Sequence, residues 1–240
     1  MFEGIEDPLS NYAAHIKRTD DQAMIALVGK GGVGKSTITT NLAVVFANIG
    51  LRVAIIDADP SNHSIGDWHR KRQRRADATN LPVIDVRIGL HPQSLCRLRT
   101  EGYHIIIADL PGGAPSEEHK ALLPAFNLGL MPLPATSVGV SATMRIMRRY
   151  NDVLALFLCI NAPASTLRAN TVLEKLKELD VLTVLRRYVS TETAYGHGLG
   201  VSEFERNGGA TADILRLADA VCSLLWDEEM GRDAPSKEAA

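Results

Sequence analysis

The residues Gly29-Lys30-Gly31-Gly32-Val33-Gly34-Lys35-Ser36-Thr37 constrain the fold more than any other stretch of the chain. They match G-x-x-x-x-G-K-[ST], a phosphate-cradling loop that needs a strand before it and a helix after it. Both are predicted. Met24-Ile25-Ala26-Leu27-Val28 is the unbroken apolar run of a parallel strand buried on both faces. Ile38, Leu42, Val45, Phe46 and Ile49 then recur at helical spacing. Glycines let the backbone approach phosphate oxygens with no Cβ in the way, and the exposed N–H groups and the helix N-terminus favour the anion. The pattern therefore calls for a nucleoside triphosphate. Lys35 is expected at the β/γ-phosphates, the Ser36 hydroxyl on Mg²⁺ and Thr37 at the α-phosphate.

Beyond the loop, apolar runs at 24–28, 52–56, 83–88, 104–109, 128–133, 153–160 and 181–189 alternate with helical patterns near 35–48, 61–76, 92–100, 116–125, 137–150 and 166–179. A last helix repeats Ile214, Leu217, Ala218, Val221, Cys222 and Leu225 at spacings of 3–4. Such alternation predicts an α/β P-loop NTPase fold: a mostly parallel, twisted sheet with helices on both faces. The 240 residues suit one large domain. Residues 1–22 are read as a partly ordered N-terminal extension, in which Tyr12, His15 and Ile16 form at most one short helical face. Residues 23–226 form the nucleotide-binding domain, and 227–240 are read as an acidic flexible tail.

Two acidic motifs extend the site. Ile55-Ile56-Asp57-Ala58-Asp59-Pro60 ends a buried strand with two carboxylates, where open α/β sheets place their ligands. Asp57 is expected to act at Mg²⁺ and Asp59 to orient or activate the attacking water. A strand-end turn capped by its own side chains is the simpler account of the same residues. Ile105-Ile106-Ile107-Ala108-Asp109 is a Walker B pattern whose Asp109 holds Mg²⁺. Pro111-Gly112-Gly113 follows as a loop free to move near the γ-phosphate.

Taken together, KGGVGKST, DADP and IIIADLPGG resemble the ParA/MinD family of deviant Walker-A ATPases from about Met24 to Leu225. The resemblance is strongest to small ParA-type, ParF-like plasmid partition proteins, with StbB/VirC1-like relatives of plasmid transfer and stability close behind. It implies that Lys30 is the signature lysine, reaching the partner's phosphates across an ATP-bound sandwich homodimer. It makes Asp59 the catalytic aspartate beside Lys30 and Lys35, assigns Ser36, Asp57 and Asp109 to Mg²⁺, and places Asn161 at the adenine base, although a strand-end Asn capping a turn accounts for that residue equally. Ser61 stands where the family carries glutamine. Also implied are nonspecific DNA, a centromere-binding (ParB-like) or other small DNA-binding partner protein, and a cytoplasmic, nucleoid-associated location. ATP-gated adaptors of conjugative transfer or cargo positioning form the alternative class, and a P-loop ligase or kinase a third.

DNA contacts would need phosphate-neutralising cations. The formal net charge of -2 excludes a generally basic DNA-coating protein but not a local patch. Three patches are candidates: the run Arg70-Lys71-Arg72 with Arg74 and Arg75; Arg145, Arg148 and Arg149; and Arg186, Arg187 and Arg206. Arg186 or Arg187 also fits an ion pair at a strand end. Trp68 is read as a helix anchor rather than a stacking platform. Cys159 and Cys222 are read as buried free thiols, fitting a reducing compartment. His63, His69, His91, His104, His119 and His197 show no metal spacing. No apolar run approaches the ~20 residues of a membrane span, and the tail from Asp227 is too acidic for a lipid-binding helix. With Glu3, Glu6 and Asp7 near its start, the chain is not expected to be secreted.

Overall fold

The computed structural model describes residues 8–59, 62–150, 153–162 and 181–231. In chain order these form α1 (Pro8–Thr19), β1 (Ala23–Leu27), α2 (Lys35–Asn48), β2 (Val53–Asp57), α3 (Ser64–Gln73), β3 (Ile84–Ile88), α4 (Pro92–Thr100), β4 (Ile105–Asp109), α5 (Glu117–Leu122), β5 (Leu128–Pro134), α6 (Ser137–Met147), β6 (Leu156–Ala162), β7 (Val181–Arg186), α7 (Val189–Gly196), α8 (Val201–Phe204) and α9 (Gly209–Trp226). The helix expected over 166–179 and the position of Ser61 lie outside the described residues.

One sheet of seven strands runs β3-β2-β4-β1-β5-β6-β7, with every pairing parallel. Strand alternation sorts the apolar runs onto its two faces. Ile25, Leu27, Val53, Ile55, Ile105 and Ile107 pack with α1, α2 and α9, while Met24, Ala26, Ala54, Ile56, Ile106 and Ala108 pack with α4 and the segment around Leu123 and Phe126. Burial on both faces explains why these strands read as unbroken apolar runs. β1 lies between β4 and β5, so the loop that follows it opens at the carboxyl edge of the sheet's centre.

Two expectations change. The sequence run 181–189 is a strand only to Arg186, and α7 starts at Val189. Residues 8–19, read as part of a loose extension, are a helix with Leu9, Tyr12, Ala13 and Ile16 buried in the core. The Tyr12 hydroxyl donates to Asp227, which Ser223 also reaches, so this carboxylate at the head of the acidic tail is buried. His15 joins the same contact: its Nδ1 accepts from Arg18 at 3.2 Å, which leaves the proton on Nε2, facing Asp21 at 3.6 Å and Glu229 at 3.8 Å. No described helix is long and apolar enough to cross a membrane.

Candidate nucleotide and metal site

The loop from Gly29 to Thr37 crosses the carboxyl end of β1 and turns into α2. Gly34 is the residue before the helix, with φ 96°, a left-handed conformation that favours glycine. Gly29, at φ 125°, pairs with Gly113 in an isolated antiparallel bridge, the Gly113 N–H donating to Gly29 O at 2.9 Å. Gly31 and Gly32 are exposed and Val33 is buried, pinning the loop to the core.

The two lysines occupy opposite settings. Lys35 is buried and its Nζ donates to the Lys30 carbonyl at 3.3 Å. Burial lowers its pKa, while the charges of Asp109 and Asp59 oppose that shift. The Lys30 residue itself is exposed.

β2 and β4 are register partners, which sets Asp57 beside Asp109. Asp109 Oδ2 accepts from Ser36 Oγ at 2.6 Å, and Asp57 Oδ2 accepts from the Gly66 N–H at 3.2 Å. The other carboxylate oxygens, Asp57 Oδ1 and Asp109 Oδ1, are buried with no hydrogen-bond partner. Burial pushes the Asp109 carboxyl up to about 6, against the Ser36 hydrogen bond and the Lys35 charge, and shifts Asp57 in the same direction. Two orphaned acceptors beside a hydroxyl are what a hard divalent cation satisfies, so Ser36, Asp57 and Asp109 fit Mg²⁺. Asp59 is half-buried, close enough for its charge to act on Lys35 and Asp57.

A cleft of ≈ 240 Å³ adjoins the loop, lined in part by Thr37, Asn41, Arg187, Tyr188, Val201 and Asp213. Asn41 joins its walls: Nδ2 donates to Thr37 O at 2.8 Å and Oδ1 accepts from the Val201 N–H at 2.7 Å. Asn161 lies near the end of β6, in register with Pro134 and Leu185.

The basic candidates separate. Arg70 pairs with Asp67, and Arg75 with Asp77 at 2.7 Å. Arg72 is buried, bidentate to Glu203 at 2.7 and 2.8 Å and stacked 5.4 Å from the Trp68 ring centroid. Trp68 is fully buried and donates to Leu199 O at 3.1 Å. Arg186 pairs with the buried Asp213 at 3.1 Å, at the end of β7. Arg74, Arg187 and Arg206 are exposed, as are Arg145, Arg148 and Arg149. Cys159 and Cys222 are buried free thiols. Ser64 and Asn41 escaped the sequence reading, and Tyr195 entered it only as the first residue of 195–201, a stretch that resembles the ParA segment before its last helix. Asn41 left a trace as a polar residue inside an apolar helix, whereas Ser64 left none.

Fold and site define a P-loop nucleotide-binding protein of the parallel α/β type. The chain belongs to the CobQ/CobB/MinD/ParA nucleotide binding domain family, whose pattern matches residues 24–201. That bears out the ParA/MinD resemblance, and the family is one of P-loop ATPases related to partition, cell-division and carboxysome-positioning proteins. The chain is 29% identical over 129 residues to the maintenance of carboxysome distribution protein A of Gloeobacter kilaueensis, covering 53% of this chain and 56% of that protein. It spans about half or less of the length of the curated relatives it matches. Among solved structures it is similar to the Pyrococcus furiosus cell division ATPase MinD, with TM-score 0.67, 18% identity and coverage of 83% of this chain and 98% of that one. It is also similar to a putative plasmid partition protein of Borrelia burgdorferi B31 bound to AMPPNP, with TM-score 0.62, 19% identity and coverage of 84% and 98%.

Proposed function

We propose that this chain is a Mg²⁺-dependent ATPase that segregates or positions DNA. ATP binding drives a sandwich homodimer, the dimer binds DNA nonspecifically, and a centromere-binding (ParB-like) or similar small DNA-binding partner stimulates slow hydrolysis. The observation that carries the reading is the division of labour between the two loop lysines. Lys35 is buried within its own site, where it acts on the β/γ-phosphates. Lys30 sits one residue past Gly29 on the exposed rim, and in the proposed dimer it reaches the second protomer's phosphates. A lysine so placed supplies positive charge where hydrolysis develops negative charge.

Ser36, Asp57 and Asp109 hold Mg²⁺, which when bound neutralises charge on the phosphates. Asp59 orients the attacking water. The cleft beside Thr37 and Asn41 takes the base, and Asn161 of β6 is the residue the family resemblance offers for the adenine. Exposed Arg74, Arg187 and Arg206 are the preferred DNA contacts, because Arg70 and Arg186 already have carboxylate partners.

The similarity to a carboxysome distribution protein favours a second reading, an ATP-gated adaptor that positions a protein cargo. Light scattering with ATP, together with ATPase assays with and without DNA, tests both. Lys30→Gln should bind ATP as a monomer and lose dimerisation, and Lys35→Ala should lose nucleotide. Unchanged ATPase activity in both variants would sink the proposal, and ATP-dependent dimers that ignore DNA would select the adaptor.

A further inference from the structure

Ser36 Oγ has one proton and two lone pairs. Its proton is donated to Asp109 Oδ2 at 2.6 Å, and one lone pair accepts from Ser64 Oγ at 3.0 Å. One lone pair is left. Ser64 thus fixes the rotation of Ser36 and decides where its free lone pair points.

Ser64 opens α3, and the same turn supplies the Gly66 N–H that holds Asp57 Oδ2. Behind Ser64 lies Tyr195 on α7. Its hydroxyl is buried with no hydrogen-bond partner, and it lies close enough to Ser64 for the two to interact. Burial pushes it up to about 12, so it stays a neutral phenol, a donor. A phenylalanine would fill the same space without an orphaned oxygen, so packing does not account for the hydroxyl.

We propose that Ser64 and Tyr195 are positioning residues of the Mg²⁺ site: Ser64 donates to Ser36 and presents it to the cation, and the buried Tyr195 hydroxyl, unpaired in this structure, turns to donate to Ser64 when the cation is bound. Neither residue is among the proposed Mg²⁺ ligands Ser36, Asp57 and Asp109. The inference rests on the Mg²⁺-dependent nucleotide site proposed above. It also gives α3 and α7 a shared stake in metal loading. α3 is also bolted to the chain that follows α7, by Trp68 on Leu199 O and by Arg72 on Gly198 O and on Glu203 of α8.

The test is calorimetric titration of the full chain with ADP over a series of Mg²⁺ concentrations, alongside thermal melting. Outer-shell partners of metal ligands typically alter metal affinity by about 10–100-fold. Ser64→Ala should raise the half-maximal Mg²⁺ concentration by roughly that factor while leaving Mg²⁺-free ADP affinity within about twofold, and Ser64→Thr should restore it. Tyr195→Phe should raise it by about 3–10-fold without lowering the melting temperature, because it removes an orphaned hydroxyl. A purely structural role moves melting and leaves the Mg²⁺ midpoint in place. That outcome in both Ser64→Ala and Tyr195→Phe overturns the relay. A wild-type chain whose ADP binding ignores Mg²⁺ overturns the metal-dependent site itself, and the relay with it.

Discussion

Gly112 lies against Gly31 so closely that a Cβ on Gly112 would stand 2.7 Å from both the Cα and the N of Gly31. The loop after β4 and the phosphate loop are thus in backbone contact, reinforced by the Gly29–Gly113 bridge. Whatever moves one loop moves the other. This gives a direct route from the γ-phosphate end of the site to the surface around residues 111–113.

Gly112→Ala is therefore expected to displace the phosphate loop, since the clash is with backbone and no flexible side chain can yield. Overpacking of this kind costs about 1–3 kcal/mol. If half of that falls on the binding-competent loop conformation, nucleotide affinity drops by about 3–10-fold. Calorimetric titration with ADP measures it. Gly196→Ala, where a Cβ meets nothing within 4 Å, is the control and should bind as wild type.

The carboxylates predict a specific pH response. Asp109 titrates near 6 in the folded chain against an ordinary value of 3.8. A carboxyl raised by folding binds its proton more tightly in the native state, so its contribution to stability is present at low pH and is lost as pH rises from about 4 through 6. Asp57 adds in the same direction. Metal-free Asp109→Asn should melt higher than wild type above pH 6, by about 2–4 °C per kcal/mol of burial penalty removed, and the gap should close toward pH 4. Protons also compete with Mg²⁺ for the carboxylate, so wild-type Mg²⁺ affinity should weaken below pH 6. A wild-type-minus-variant melting difference that is flat between pH 4 and 7 contradicts this assignment.

How much of this was legible in the chain depends on the range of the interaction. Gly29 to Thr37, Asp57 and Asp109 could be read because the loop's chemistry is local and each acid ends an apolar strand. The sheet merely sets them side by side. Arg72 was not legible. In sequence it is one of five basic residues between 70 and 75, yet its partner Glu203 lies 131 positions away and draws it into the core. Tyr12 and Ile16 could be read as a short helical face, but not as core, since the apolar surface they cover belongs in part to the last helix. Ser64 carries no motif and Tyr195 only opens a family-like stretch, so the contact of Ser64 with Ser36, and Tyr195 near Ser64, is what gives them meaning.

The Arg72–Glu203 pair separates structural from surface charge within one run. Both side chains are almost fully buried, at 6% and 7% exposure. Removing one partner of a buried pair strands the other charge, at about 3–5 kcal/mol. Glu203→Ala should lose that much in urea unfolding, whereas Arg74→Ala, on the exposed side, should stay within about 0.5 kcal/mol of wild type. If the run contacts DNA, Arg74→Ala should instead lower the salt dependence of binding by about one unit of slope.

The N-terminal helix yields the last test. α1 covers α9, and α9 lines the cleft beside the phosphate loop with Ala210, Asp213 and Ile214. Ile16 is fully buried in that contact. Truncating it to alanine leaves a cavity, and such core substitutions cost about 2–5 kcal/mol. Tyr12→Phe removes the hydroxyl that reaches Asp227 and leaves a buried carboxylate with Ser223 as its remaining described partner, a loss of about 1–3 kcal/mol. Neither residue lines the cleft. Nucleotide binding should therefore persist below the melting transition in each variant, with urea unfolding reporting the loss. A chain whose stability is unmoved by Ile16→Ala would return residues 8–19 to the status of a loosely attached extension.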